Sequence, residues 1–191
     1  MIDISLFFPT AISIDTNELL AQQMLPVAKK YLNDVALLTD QLNYKSTYHA
    51  DSGIEQYDDV KPFLEYINTV ANAYLEKAGY DLSKISLTAK VFVSEMQYGD
   101  FHNTHVHPNC VLSGIMYLQV PEKSAPIVFY DPRIAKNMSS LPILSETLIN
   151  QRKIPIFPKT GMVLLWESWL MHSVPKNHST DGRITIVFNL S

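Results

Sequence analysis

The sequence has little of what covalent or phosphate-binding frameworks need. Its 191 residues include one cysteine, Cys110, so no intrachain disulfide can form. That fits a reducing compartment and a cytoplasmic location. In its Val-rich setting Cys110 reads as a packing residue rather than a nucleophile. Glycine is scarce, at six residues, and none falls in a GxGxxG or GxxxxGK pattern, so no glycine loop for nucleotide phosphates is present. A GxSxG nucleophile elbow is missing too. Positive charge is in deficit: 15 Lys and Arg against 19 Asp and Glu give a net charge of −4, with no basic footprint for nucleic acid. No apolar run approaches the roughly 20 residues of a membrane helix; the most apolar late stretch, Gly161 to Trp166, is cut by Glu167. The opening Met1-Ile2-Asp3-Ile4-Ser5-Leu6-Phe7-Phe8-Pro9 has no Lys or Arg ahead of its apolar patch, so it is not expected to be a secretory signal.

Hydrophobic residues make up 47% and charged residues 18%, a globular composition. The length suits one domain spanning 1–191, with a helical support region over 1–83 and a strand-rich core over 84–191. Residues 1–12 read as an edge strand. Asp15, three residues before Glu18, reads as a helix cap. The spacing of Leu19, Leu20, Met24, Val27, Ala28 and Tyr31 predicts a helix, with Pro26 a kink or break. Pro62, Phe63, Tyr66, Ile67, Val70, Ala71 and Tyr74 predict a second helix that stops at Gly79. Residues 43–58 read as a long loop. From residue 84 the period becomes strand-like. Segments near 86–98, 111–120, 126–130, 154–157, 161–166, 169–174 and 183–190 are divided by turn residues, which predicts a sandwich, jelly roll or barrel. The long connection 133–152 reads as a lid. Exposed strand edges would suit a homodimer.

Six histidines are present: His49, His102, His105, His107, His172 and His178. His105 and His107 are two apart, so on a strand both imidazoles share a face. His172 comes from another predicted strand. Three neutral imidazoles suit Fe, Zn, Cu or Ni. His49, His102 and His178 read as loop or surface residues. Beyond His172, Arg183 opens a strand and Thr185 shares its face. A guanidinium with a hydroxyl beside it makes a carboxylate receptor. Tyr117, in Gly114-Ile115-Met116-Tyr117-Leu118, can add a phenolic donor from a neighbouring strand.

The ordered set His105-Val106-His107, Tyr117, His172 and Arg183 resembles the iron(II)- and 2-oxoglutarate-dependent oxygenases of the prolyl-hydroxylase-like branch. Within it, the chain looks like a group of short members without an assigned substrate. Gly99-Asp100, Ser113-Gly114, Phe129-Tyr130-Asp131-Pro132-Arg133, Lys159-Thr160-Gly161 leading to Trp166, and Phe7-Phe8-Pro9-Thr10 are similar to family segments. One departure stands out. Family members carry His-x-Asp where this chain has His105-Val106-His107. Three imidazoles would leave the metal site at +2 rather than +1, a set that suits Zn as well as Fe. Asp131 or Asp100 could supply a carboxylate instead.

The resemblance implies a mainly β fold with N-terminal helices (α+β) and a double-stranded β-helix core, a cupin-like jelly roll. It implies Fe(II) on His105, His107 and His172, with 2-oxoglutarate on Arg183, Thr185 and Tyr117. Asn103, Ser113 and Trp166 would support the site. The expected reaction is hydroxylation of an unidentified substrate, with O2 consumed and succinate and CO2 released. Two other classes remain open at this point: a three-His zinc hydrolase or hydratase, and a non-enzymatic jelly-roll module.

Overall fold

The computed structural model describes residues 2–34, 44–48, 53–138 and 141–191. Among these residues ten strands form two antiparallel sheets, accompanied by two long helices. Strands β1 (Ile12–Thr16), β8 (Met162–Glu167), β5 (Leu112–Gln119), β10 (Arg183–Leu190), β3 (Ala89–Met96) and β2 (Lys45–Ser46) lie side by side in that order. The second sheet runs β4 (His102–His105), β9 (His172–Val174), β6 (Ile127–Tyr130) and β7 (Lys153–Ile156).

Period-two alternation sorts the larger sheet into two faces. On β10, Ile184, Ile186, Phe188 and Leu190 join Val91 and Val93 of β3, Leu112 and Met116 of β5, and Val163 and Leu165 of β8 in one core. The helices cover that face. Helix α1 (Glu18–Asp34) contributes Leu20, Ala21, Met24 and Ala28, and helix α2 (Lys61–Lys77) contributes Phe63, Ile67, Ala71 and Leu75. Each is a stripe at three- or four-residue spacing. Fully burying a side chain such as Phe63 is worth about 1.5–3 kcal/mol. The opposite face meets the smaller sheet, with Ile115, Tyr117, Leu164 and Trp166 packing on Ile127 and Phe129. No helix among the described residues is long and apolar enough to cross a membrane.

Several local expectations need correction. Strand β1 begins at Ile12, because its five residues pair with β8 while residues 2–11 pair with no strand. Asn17 caps α1, its Oδ1 accepting the Leu20 N–H (3.0 Å); Asp15 lies in β1 and its carboxylate accepts from the Tyr66 hydroxyl (2.6 Å). Pro26 does not end α1, which runs on to Asp34. Its ring is on the exposed side, where water can satisfy the carbonyl it leaves unbonded. Residues 44–48 and 53–58 hold a short strand and 3-10 turns, and the rest of that predicted loop lies outside the described residues. Strand β9 is only three residues long, because residues 168–170 turn.

Gly114 is needed where β5 passes under Phe188. A Cβ there would lie 2.1 Å from Phe188 Cζ and 2.7 Å from the Leu164 carbonyl oxygen. Phe188 also packs edge-on against Phe63, with centroids 5.7 Å apart. Gly114→Ala therefore overpacks the joint between sheet and helices. We expect it to cost about 1–3 kcal/mol, read as a lowered midpoint of urea unfolding with an unchanged slope.

Candidate metal centre

Three imidazoles converge at the end of the smaller sheet. Strand β4 pairs antiparallel with β9, and the register sets His105 directly opposite His172. Cross-strand neighbours have Cβ atoms about 4.5–5.5 Å apart, so residues distant in sequence become adjacent. His107 arrives differently from expectation: β4 ends at His105, so the two do not share a strand face. Instead the His107 N–H donates to the Ser168 carbonyl (3.1 Å), and the Ser168 N–H donates to the Val111 carbonyl (3.0 Å). The turn after β8 thus steers His107 back to the cluster. One ligand atom from each of His105, His107 and His172 lies within 4.8 Å of the others.

The geometry suits a shared ion. Imidazole nitrogens about 2.0–2.1 Å from one metal stand roughly 3.0–3.4 Å apart. His107 Nε2 and His172 Nε2 are 3.2 Å apart. His105 Nδ1–H donates to the Asn103 carbonyl (2.7 Å) and His172 Nδ1–H to the Leu170 carbonyl (2.9 Å). Both bonds turn the Nε2 lone pair toward the cluster, the usual orienting device for metal-bound histidine. Burial is the first cause of lowered basicity. It brings His172 down to about 3 and His107 to about 4, and lowers His105 as well, with charge among the imidazoles adding to the effect on His172 and His107. The cluster is neutral and ready to ligate at neutral pH.

The surroundings sort the remaining residues. Trp166 meets His172 edge-on (centroids 4.9 Å), and Phe129 packs on both. Asn103 contributes its backbone carbonyl while its side chain is exposed. Ser113 is buried and bonds the Ser168 hydroxyl (2.8 Å), and it donates to Asn189 Oδ1 (2.8 Å). It therefore supports the turn that holds His107. Asp131 lies outside the imidazole group. Its carboxylate takes Nε and Nη2 of Arg133 and also meets Lys136, and the Arg133 hydrogen bond is the first cause that brings it down to about 2. The Asp100 carboxylate accepts the Gln97 N–H (2.7 Å). His102 is not a surface residue. It opens β4, stacks flat on His105 (3.8 Å between centroids) and bonds the Tyr44 hydroxyl (3.3 Å). His178 is exposed, and His49 lies outside the described residues.

Arg183 is 2% exposed. Its Nη1 donates to the Ala125 carbonyl (2.9 Å) and Nη2 to Met96 Sδ (2.9 Å). Among the described residues its Nε has no partner, nor does the buried Tyr117 hydroxyl, and the guanidinium stands 5.6 Å from the Tyr117 ring centre. Thr185 is buried on the same face of β10, and Tyr117 is its register partner on β5. Among the described residues no carboxylate pairs with this buried cation. An unpaired buried charge costs several kcal/mol, so the arrangement fits an anionic ligand. A cavity of about 730 Å³ opens beside the imidazoles, walled also by Tyr44, Phe92 and Trp166. Arg183, Thr185 and Tyr117 do not line it; they are buried on the face of the larger sheet turned to the smaller one, where Tyr117 packs with Ile127 and Phe129. Tyr44, Ser168 and Asn189 escaped the sequence reading. Asn189 alone had a signal there, the alternation Arg183, Thr185, Val187, Asn189 along one strand.

The sequence profile of the family described as "Putative 2OG-Fe(II) oxygenase" matches residues 90–189, more than half of the chain. No curated protein sequence matches. Among solved structures, a Pseudomonas putida prolyl-4-hydroxylase superposes with a TM-score of 0.61 at 10% identity, covering 95% of this chain and 92% of that one. The epimerase SnoN, in complex with Fe3+, alpha ketoglutarate and nogalamycin RO, gives 0.61 at 13% identity, covering 95% and 78%. The chain spans 46% of a Burkholderia pseudomallei protein of the 2OG-Fe(II) oxygenase family (56% of this chain, 13% identity, TM-score 0.44). At these identities the likeness is one of fold.

The imidazole cluster makes the metal-free chain acid-sensitive. A histidine whose folded pKa is depressed binds a proton more readily when unfolded. Its destabilising effect is absent above the unfolded value of about 6.5 and grows as pH falls toward the folded value. With His102 and His107 at about 4, chelator-treated protein should lose a few kcal/mol between pH 7 and pH 5 in urea unfolding. His107→Asn and His172→Asn should each flatten that dependence.

Proposed function

The chain belongs to the 2OG-Fe(II) oxygenases, an oxidoreductase family working with Fe(II), 2-oxoglutarate and dioxygen, and on that premise we propose that it hydroxylates an unidentified substrate at the His105, His107 and His172 centre. The observation that carries this reading is the buried Arg183, unpaired by any carboxylate among the described residues, in the same inter-sheet layer as the imidazoles.

His105, His107 and His172 would hold the metal. Bound there, Fe(II) supplies the oxygen chemistry that no side chain can perform. The protein's own task is to bind, orient and exclude water. Arg183 offers 2-oxoglutarate a charge-assisted donor, and the Tyr117 hydroxyl and Thr185 add bonds to the same far carboxylate. Burial keeps the Tyr117 phenol protonated, pushing it up to about 12, so it remains a donor at neutral pH. Trp166 and Phe129 form an apolar wall behind His172 that keeps solvent from that side. His107 in place of a carboxylate leaves the site more positive, which strengthens its attraction for the dianionic co-substrate.

The strand order supports reading the two sheets as a jelly roll, with the N-terminal helices buttressing the larger one, and residues 1–191 as one domain. A zinc hydroxide on three histidines is the second reading, favoured by the all-imidazole cluster. It leaves the buried Arg183 without a task.

Anaerobic addition of 2-oxoglutarate to Fe(II)-loaded protein should produce a saturable visible charge-transfer band. Arg183→Gln should weaken that titration about ten- to hundredfold while retaining stoichiometric metal. Bound metal with no band would move the zinc reading to first place.

A further inference from the structure

One transverse row of the larger sheet leads from the imidazoles to the exposed Lys90. Ser113 is the register partner of Trp166, Asn189 of Ser113, and Lys90 of Asn189. Trp166 touches His172, and Trp166, Asn189 and Lys90 all line the cavity. Reading outward from the imidazoles, the row offers an indole, a hydroxyl, an amide and an ammonium.

The hydrogen bonds give that row a direction. Ser113 donates its proton to Asn189 Oδ1, so the Ser168 hydroxyl must donate to Ser113. The carbonyl end of the Asn189 amide is thereby committed, and its Nδ2 is the end that remains to donate. Lys90 is exposed, and among the described residues it forms no ion pair. Glu55, also in the cavity wall, accepts the Val91 N–H through Oε2 (3.3 Å). One rung further along β3 from Lys90, Phe92 packs on Tyr48 with centroids 4.8 Å apart, giving the wall an aromatic surface.

This pair is separate from the proposed 2-oxoglutarate receptor. Arg183 and Asn189 face the same side of β10 six residues apart, about 20 Å of strand at 3.3–3.4 Å per residue. A single five-carbon dicarboxylate cannot reach both ends.

We propose that Asn189 and Lys90 hold the carboxylate of the primary substrate, whose hydrocarbon body lies on Phe92 and Tyr48 beside the imidazole cluster. One ammonium and one amide donor match a two-oxygen monoanion; a phosphate dianion would be under-compensated. The assignment rests on the same cavity being the oxygenase site, and it names the substrate class as small organic carboxylates.

The test uses the full chain, 15N-labelled, metal-free and without 2-oxoglutarate, titrated with hexanoate, hexanamide and hexyl phosphate. Hexanoate should shift the Lys90, Phe92 and Asn189 amide resonances saturably, and more tightly than either analogue. Lys90→Gln, an exposed substitution that leaves the core intact, should weaken hexanoate about three- to tenfold. Lys90→Glu should abolish binding, and Arg183→Gln should leave it unchanged. Undiminished binding in Lys90→Gln, shifts centred on Arg183 and Thr185, or tighter binding of hexyl phosphate or hexanamide would each overturn the proposal. Because no metal is present, such a failure leaves the charge-transfer result standing, and a missing band leaves this one standing.

Discussion

Strand β10 is hydrogen-bonded along both edges, to β5 and to β3, and its period-two alternation organises the molecule around it. A residue in such a strand has only two directions to face. Ile184, Ile186, Phe188 and Leu190 go to the helices and form the larger core. Arg183, Thr185, Val187 and Asn189 go to the other sheet. A slip of one residue would exchange the two sets and bury charge among aliphatic side chains. The packing of Phe188 over Gly114 opposes such a slip, because it accepts a ring at one position of β5 and no other residue there leaves room. The chemistry of the cavity therefore depends on the register of an aliphatic core on the far side of the same sheet.

The site is an electrostatic arrangement completed only by its ligands. Burial holds the imidazoles neutral, which removes a positive charge from each and frees lone pairs for a metal. The Arg183 guanidinium cannot relieve its burial in that way, since it stays charged at any accessible pH. The chain thus carries a buried cation whose carboxylate partner is not found among the described residues. A dianionic co-substrate would answer both the guanidinium and a +2 metal site. An all-imidazole set, with no carboxylate of its own to offset the metal's charge, would increase that demand.

Local pattern revealed much of this in advance. The stripe of α2, its stop at Gly79, most strands after residue 84 and the pairing of Arg183 with Thr185 on one face all follow from periodicity and turn residues, which act over a few residues. The grouping of His105, His107 and His172 was visible as spacing together with a family resemblance. Errors arose where a local rule met a tertiary competitor. Asn17 took the cap that Asp15 resembled, because β1 occupied Asp15. The helix ran through Pro26 because that residue faces solvent.

What the sequence by itself determined is the inventory: which residues can ligate, which can receive an anion, and which alternate on a strand. Tertiary structure alone decided how they meet. His107 lies past the end of β4, and its N–H bond to the Ser168 carbonyl, on a turn between β8 and β9, helps bring it to the cluster. His102 looked like a loop residue until β4 paired with β9 and stacked its ring on His105. Asn189 and Lys90 became neighbours only through the register of β10 against β3. In each case the deciding contact joins segments far apart in the chain, where a spacing rule that compares near neighbours has no information.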